Sequence, residues 1–125
     1  MISGSGTVTT TQGILRLRGT NTYTGNSTSS GSGRLVVEGK LGGGSYAGNI
    51  SNTSSNSHGV IFNTSAAQTV SGVLSGSGIY SLSDADTSGV LTLTGSNTFS
   101  SIWNHSGGTL VVGNNNALGS NPRIN

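Results

Sequence analysis

The fold is decided by a stretch that the chain contains twice. Ile14-Leu15-Arg16-Leu17-Arg18-Gly19-Thr20-Asn21-Thr22-Tyr23 recurs 76 residues later as Val90-Leu91-Thr92-Leu93-Thr94-Gly95-Ser96-Asn97-Thr98-Phe99. Two shorter blocks recur in the same order at offsets of 72 and 75 residues: Ser3–Gly6 returns as Ser75–Gly78, and Gly33–Val37 returns as Gly108–Val112. An internal repeat of strand-like segments indicates a solenoid, in which successive turns of the chain stack on one another.

Each repeated block alternates apolar and polar residues with the period of a β-strand. In Leu15-Arg16-Leu17-Arg18 the leucines share one face and the arginines the other. The second copy keeps the leucines and replaces the arginines by threonines, as expected for a buried inner face and a solvated outer face. The predicted core consists of the inward residues of both copies: Leu15, Leu17, Leu35, Val37, Leu91, Leu93, Leu110 and Val112.

The length of the repeat predicts how many turns the chain makes. About 75 residues is too long for one turn of a β-solenoid, but three coils of roughly 25 residues fit. We therefore expect an all-β parallel β-helix of about five coils with essentially no helix, forming a rod roughly 25 Å long. Residues 1–125 form one segment, with approximate repeat copies at 3–44 and 75–120 and intervening coils at 45–74.

Composition excludes several classes of protein. Only 30% of residues are hydrophobic, which is too few for a compact globule, yet they cluster into short alternating runs and so do not indicate disorder. The net charge of +2 comes from scattered residues, and no basic cluster points to nucleic acid. No run of residues is apolar enough to span a membrane, and the chain contains no cysteine for a disulfide scaffold.

The segment Gly42 to His58 differs from the rest of the chain. It opens with three glycines, and Ser51 to Ser57 is almost entirely Ser, Thr and Asn. Two interpretations remain open from the sequence: an excursion from the coil or a poorly ordered stretch, and a polar coil with a hydrogen-bonded exterior.

The second copy resembles a known family of repeats. Gly89 to Phe99 followed by Gly107 to Asn114 is similar to the autotransporter-associated β-strand repeat, also called the passenger-associated transport repeat. Gln68 to Gly78 and Asn115 to Gly119 resemble the segments on either side of it. The first copy, Ile14 to Gly39, fits more loosely, because charged residues stand where the family has Thr or Gly: Arg16, Arg18, Arg34 and Glu38.

The resemblance implies both a fold and a location. It implies a right-handed parallel β-helix in the passenger region of a bacterial surface protein, where such repeats form a stalk. It also implies a place on the cell surface or outside the cell, with export signals outside this segment. The partners expected are neighbouring coils of a longer chain or other copies of the chain, and host-surface or matrix glycans or proteins.

Few residues are candidates for chemistry. Asp84 and Asp86 share a face if they lie on a strand, where they suit Ca²⁺ binding or polysaccharide cleavage, but a polar turn explains them better. His58 and His105 have no second ligand at metal-binding spacing. Trp103 is the candidate for a surface contact that stacks on a sugar or a partner, against the alternative that it fills the coil interior. We therefore expect no catalytic residue, no metal and no cofactor.

Alternating threonines offer one rival function. Thr7, Thr9 and Thr11 resemble the outward ladders of ice-binding β-solenoids, but outward arginines interrupt the pattern in the first copy. The sequence thus favours a structural or adhesion-type surface module that is not an enzyme. The alternative is a β-solenoid that stacks end to end into extracellular filaments, and ice binding or polysaccharide activity is less favoured.

Overall fold

A computed structural model describes residues 1–83, 88–120 and 123–125, and every strand in it pairs in parallel. The strands are β1 (Val8–Thr10), β2 (Ile14–Leu17), β3 (Ser27–Ser29), β4 (Arg34–Val37), β5 (Ser45–Tyr46), β6 (Ile50–Asn52), β7 (Val60–Phe62), β8 (Ala67–Val70), β9 (Leu74–Ser75), β10 (Tyr80–Leu82), β11 (Val90–Leu93), β12 (Trp103–His105) and β13 (Thr109–Val112). The only helical element in the described ranges is a single 3₁₀ turn, Gly42–Gly44.

Three parallel sheets form the walls of a β-solenoid. The first sheet has the order β1-β3-β6-β9, the central sheet β2-β4-β7-β10-β12, and the third sheet β5-β8-β11-β13. Because each strand pairs with the strand one turn away, the hydrogen bonds run along the axis of the rod. The chain makes about four turns, close to the five that the sequence predicts. The predicted all-β solenoid with essentially no helix is confirmed.

The two copies of the sequence repeat lie on different walls of the rod. Strand β2, from the first copy, belongs to the central sheet, whereas its counterpart β11 belongs to the third sheet. Three successive pairings lead from Leu15 through Leu35 and Val60 to Tyr80, and not to Leu91. The similar segments therefore occupy different places in the turn, and the sequence offset is longer than three turns.

The core is a narrow column of side chains along the axis. Of the predicted core, Leu17, Leu35, Val37, Leu91 and Leu93 are buried, while Leu15 and Leu110 are partly buried and pack against the core. The prediction for Val112 is wrong, because its side chain is 49% exposed. Val112 is in register with the buried Leu93, so it faces the same way, but β13 is the last strand of the third sheet and no described strand covers it.

Trp103 is the largest buried side chain and belongs to the core. Its ring stacks on Tyr80 at 6.1 Å between centroids and lies nearly parallel to Phe62 at 6.5 Å. The surface contact predicted for Trp103 is therefore wrong, and the alternative that it fills the coil interior is confirmed, since the side chain is fully buried on the inner face of the central sheet. The indole Nε1 has no hydrogen-bond partner among the described residues, which makes this the one uncompensated polar atom of the aromatic row.

A column of glycines forms one corner of the rod. A Cβ atom added at Gly25, Gly48, Gly72 or Gly95 would lie 2.0–2.5 Å from a backbone oxygen of the glycine one turn below, beginning with Gly6. None of these residues has a positive φ. Glycine is therefore needed here because a Cβ atom does not fit, and not because of the backbone conformation. Close approach of successive backbones at this corner thus demands glycine in four successive turns.

The segment from Gly42 to His58 is a polar coil, which decides between the two interpretations of the sequence. Strand β6 pairs with β3 and β9 on its two sides, and β5 pairs with β8. Buried Asn52 donates from Nδ2 to the Ile79 oxygen at 2.9 Å, and its Oδ1 accepts from the Ser54 N–H at 3.2 Å. The hydroxyl of Ser54 donates to the Gly33 oxygen at 2.6 Å. The polar side chains therefore satisfy backbone groups of neighbouring turns and do not leave the coil.

Candidate functional site

A pocket opens on the outer face of the central sheet. Its volume is about 440 Å³, and the residues that line it are His58, Ile61, Ser81, Ser83, Asn104, His105, Ser106 and Asn125. The floor is a column in register across neighbouring strands, in which Ile61, Ser81 and Asn104 lie side by side. Because alternate residues of a strand face outward, the turns themselves place these three side chains on one surface.

His58 forms one wall of the pocket. Its Nδ1 lies 3.2 Å from the hydroxyl oxygen of Ser81, and its backbone N–H donates to Asn56 Oδ1 at 3.0 Å. The ring is thus held at the end of the polar coil and covers Ser81, which is only 3% exposed. An Asx turn at Asn56 fixes the position of His58. This turn lies in the segment Gly42 to His58, for which the sequence allowed two interpretations.

His105 forms a second wall. Its Nε2 lies 3.1 Å from the backbone oxygen of Gly108. A carbonyl oxygen only accepts, so Nε2 carries the proton and Nδ1 is left as an acceptor when the ring is neutral. Coil stacking brings His58 and His105 to the same pocket although 47 positions separate them in the sequence. No sequence signal marks this meeting, because it depends on the lengths of the intervening turns.

The pocket offers binding groups more than catalytic ones. The Ser81 hydroxyl is covered by His58, so a substrate does not reach it in this arrangement. Among the described lining residues no Asp or Glu side chain orients either imidazole, as a serine hydrolase requires. Within the described ranges no three His, Cys, Asp or Glu residues lie close enough to hold a metal ion. Asp84 and Asp86, the candidates for calcium or cleavage, lie outside the described residues.

A charged cluster lies on the same outer face, in the first turns. Glu38 accepts from Arg18 Nε at 2.6 Å and pairs with the guanidinium of Arg16. These hydrogen bonds, that from Arg18 first, hold the pKa of the Glu38 carboxyl below its ordinary value. The sequence placed Arg16 and Arg18 on the outer face, and the structure adds their shared partner one turn away. Such an exposed group of charges contributes little to stability.

The outer face of the first sheet carries hydroxyl groups. Thr9, Thr28, Ser51 and Ser75 are aligned in register across all four of its strands. Arg16 and Arg34 lie on the central sheet and leave this column uncharged. The argument from the arginines against a regular threonine face does not hold for this sheet, and the ice-binding alternative stays a prediction.

The chain matches no protein-family model, no curated protein and no solved structure. Its resemblance to the passenger-associated transport repeat therefore rests on the residues quoted from the sequence. In the described part of the chain no helix is both long and apolar enough to cross a membrane.

Proposed function

We propose that this chain is a structural segment of a bacterial surface protein, a stretch of stalk that holds other regions away from the cell. The observation that carries the proposal is the uninterrupted stacking of parallel turns, each hydrogen-bonded to the next along the axis. Since every turn contacts only its neighbours, length is added without changing the cross-section. The resemblance of Gly89 to Asn114 to passenger repeats supplies the cell-surface part of the proposal.

The interior is suited to a rod that needs few apolar residues. Ser27 shares a buried hydroxyl network with Tyr23, at 2.6 Å, and with Tyr46, at 2.9 Å. Gln68 bonds both backbone groups of Leu41, one turn away, at 2.8 and 3.0 Å. Polar side chains inside the column thus hydrogen-bond one turn to the next, and so add to the stability that the few aliphatic side chains of the core provide.

The location is tested on intact cells that express the native protein. An antibody against this segment is expected to label unpermeabilised cells, and treatment of intact cells with a protease is expected to remove the label. A cytoplasmic protein detected with the same protocol serves as the control. Label that appears only after lysis contradicts the surface part of the proposal but leaves the solenoid fold untouched.

A second candidate, end-to-end assembly, is favoured by the apolar residues at the ends of the rod. Ile14, on the first strand of the central sheet, is 52% exposed. At the other end Val111, Val112 and Ile124 are all exposed. Strand edges that are apolar and unpaired are sites at which a further turn adds by parallel pairing. That turn belongs either to the continuing chain or to a second copy.

Negative-stain electron microscopy of the purified chain distinguishes a further turn supplied by a second copy from one supplied by the continuing chain. Unbranched filaments support stacking of copies, whereas discrete particles exclude it and leave only the stalk. The substitution Val112→Lys places a charge on the end of the third sheet and is expected to abolish filaments. Val90→Lys is the matched control, because Val90 is also partly exposed but lies on β11, which is paired on both sides. Filaments that survive Val112→Lys contradict stacking through this end.

A further inference from the structure

We propose that the pocket on the outer face of the central sheet binds an uncharged, hydroxyl-rich molecule of the mono- or disaccharide class. The proposal is independent of the structural role, since a stalk performs that role with or without a ligand. It rests on the size of the pocket, on the chemistry of its walls and on the position of the nearest charges.

The volume suits a small molecule. At about 440 Å³ the pocket falls within the range of about 300–1,000 Å³ that is typical of ligand sites. It spans the outer face of several successive turns, so a ligand bound there contacts strands β7, β10 and β12 together. Parallel pairing holds these strands in register, and the floor is therefore formed before the ligand arrives.

The walls select against charge. None of the described lining residues is Lys, Arg, Asp or Glu. One described cation lies close to a wall of the pocket: Arg34 Nη2 donates at 3.0 Å to Asn56 Oδ1, the oxygen that also accepts from the His58 N–H. Because that guanidinium is bonded to Asn56 and does not line the pocket, an ionic ligand would lose hydration without meeting an opposite charge among the described lining residues.

The walls also supply the hydrogen bonds that a sugar uses. Asn125 Nδ2 donates to Asn104 Oδ1 at 3.4 Å, which leaves Asn104 Nδ2 as a donor and Asn125 Oδ1 as an acceptor for a ligand. The exposed hydroxyl of Ser106 donates to the Leu82 oxygen at 3.5 Å and accepts from a ligand. The Nδ1 of neutral His105 adds an acceptor, because its Nε2 is bonded to Gly108. Ile61 gives an apolar floor for the C–H face of a ring. A hydroxyl group donates and accepts at once, so a polyol matches this mixture better than a purely donating or accepting ligand.

Affinity is limited by the absence of an aromatic platform. The indole of Trp103 lies behind the sheet in the core and is closed to the pocket. Stacking of a ring on the pocket walls is left to the two imidazoles. We expect a dissociation constant on the order of 1 mM, the weak end of specific binding.

Binding is tested by titrating the ¹⁵N-labelled chain with maltose, lactose and N,N′-diacetylchitobiose and recording amide chemical shifts. EDTA in the buffer keeps metal ions away from the histidines. Saturable shifts at Ile61, Ser83 and Asn104 with at least one of these sugars support the proposal. Digalacturonate, which is similar in size but anionic, is expected to give none. Absence of saturable pocket shifts with all three neutral sugars, or larger pocket shifts with digalacturonate, overturns it.

Two variants locate the site. Asn104→Ala is expected to weaken binding roughly fivefold, the effect of one net hydrogen bond. Asn116→Ala is the matched control: Asn116 is exposed, bonds Ser96 outside the pocket, and is expected to leave binding unchanged. Circular dichroism checks that Asn104→Ala is folded. If it is not, Ser106→Trp takes its place, because an indole at the exposed rim obstructs the pocket and is expected to weaken binding. Equal binding by the wild type and a folded pocket variant contradicts the assignment.

Discussion

Replacement of Gly72 by alanine tests whether close approach at the glycine corner fixes the spacing of the turns. The new Cβ would lie 2.0 Å from the Gly48 oxygen and 2.6 Å from its carbonyl carbon, whereas ordinary contacts begin at 3.4 Å. Both atoms belong to the backbone and cannot rotate away. The two turns must therefore separate by about 1.4 Å at this corner.

That separation breaks the hydrogen bonds beside the corner. Ser71 N donates to the Tyr46 oxygen and Val73 N donates to Asn49 Oδ1, both at 2.9 Å. Loss of two such bonds, together with the strain that remains, is expected to lower the free energy of unfolding by about 3–5 kcal/mol. This is a large part of the roughly 5–15 kcal/mol typical of a folded domain.

The assay is denaturation in guanidinium chloride followed by circular dichroism. Gly6→Ala is the matched control, since Gly6 belongs to the same column, has no positive φ and has nothing within 4 Å of an added Cβ. Its effect is expected to stay within about 1 kcal/mol of zero. Equal stability of the two variants would refute the reasoning, because it would mean that contact between turns does not decide the need for glycine.

Three further predictions follow from the core and the surface charges. Leu93→Asp places an uncompensated charge in a fully buried position and is expected to cost more than about 4 kcal/mol, so retention of the native circular dichroism would contradict the core assignment. Burial raises the pKa of Tyr46 to about 12, so its contribution to stability is complete below pH 10 and is lost as the pH rises towards 12. The test is to measure phenolate absorbance and the free energy of unfolding over the same range of pH. The Tyr46→Phe variant should lose less stability than the wild type as the pH rises. The pKa of Glu38 is lowered, so its contribution is present above the ordinary carboxyl pKa and is lost as the pH falls below it. Glu38→Gln should remove that acid dependence from the denaturation midpoint, and an unchanged dependence would show that Arg18 does not hold the carboxylate.

The alternating residues were enough to predict the fold. Strands with the pattern of Leu91-Thr92-Leu93 face the interior with every second residue, and burial of Leu91 and Leu93 follows from that period. Position within a turn was not predictable in the same way. Paired residues are 19 positions apart between Val8 and Ser27, yet 25 apart between Leu35 and Val60. Turn length is set by loops that carry no apolar period, so a similar sequence can fall on a different wall.

The candidate site was less predictable than the fold. The pocket forms where His58, from the polar coil, meets residues about two turns away, and no local pattern records that meeting. The buried polar residues were missed for a related reason. Ser27 and Gln68 are inside because partners in the next turn satisfy them, and hydrophobic periodicity does not register such pairs. Trp103 was ambiguous because an indole suits both a core and a binding surface.

The position of Trp103 also gives the protein a local reporter. It is the chain's single tryptophan and lies on β12, the last strand of the central sheet, against Tyr80. Indole fluorescence therefore follows the turns at that end, whereas circular dichroism follows the average of the rod. Coincident melting curves mean that the turns unfold as one cooperative unit. Fluorescence that changes first means that the rod unravels from this end, one turn at a time, as a linear array of weakly coupled units would.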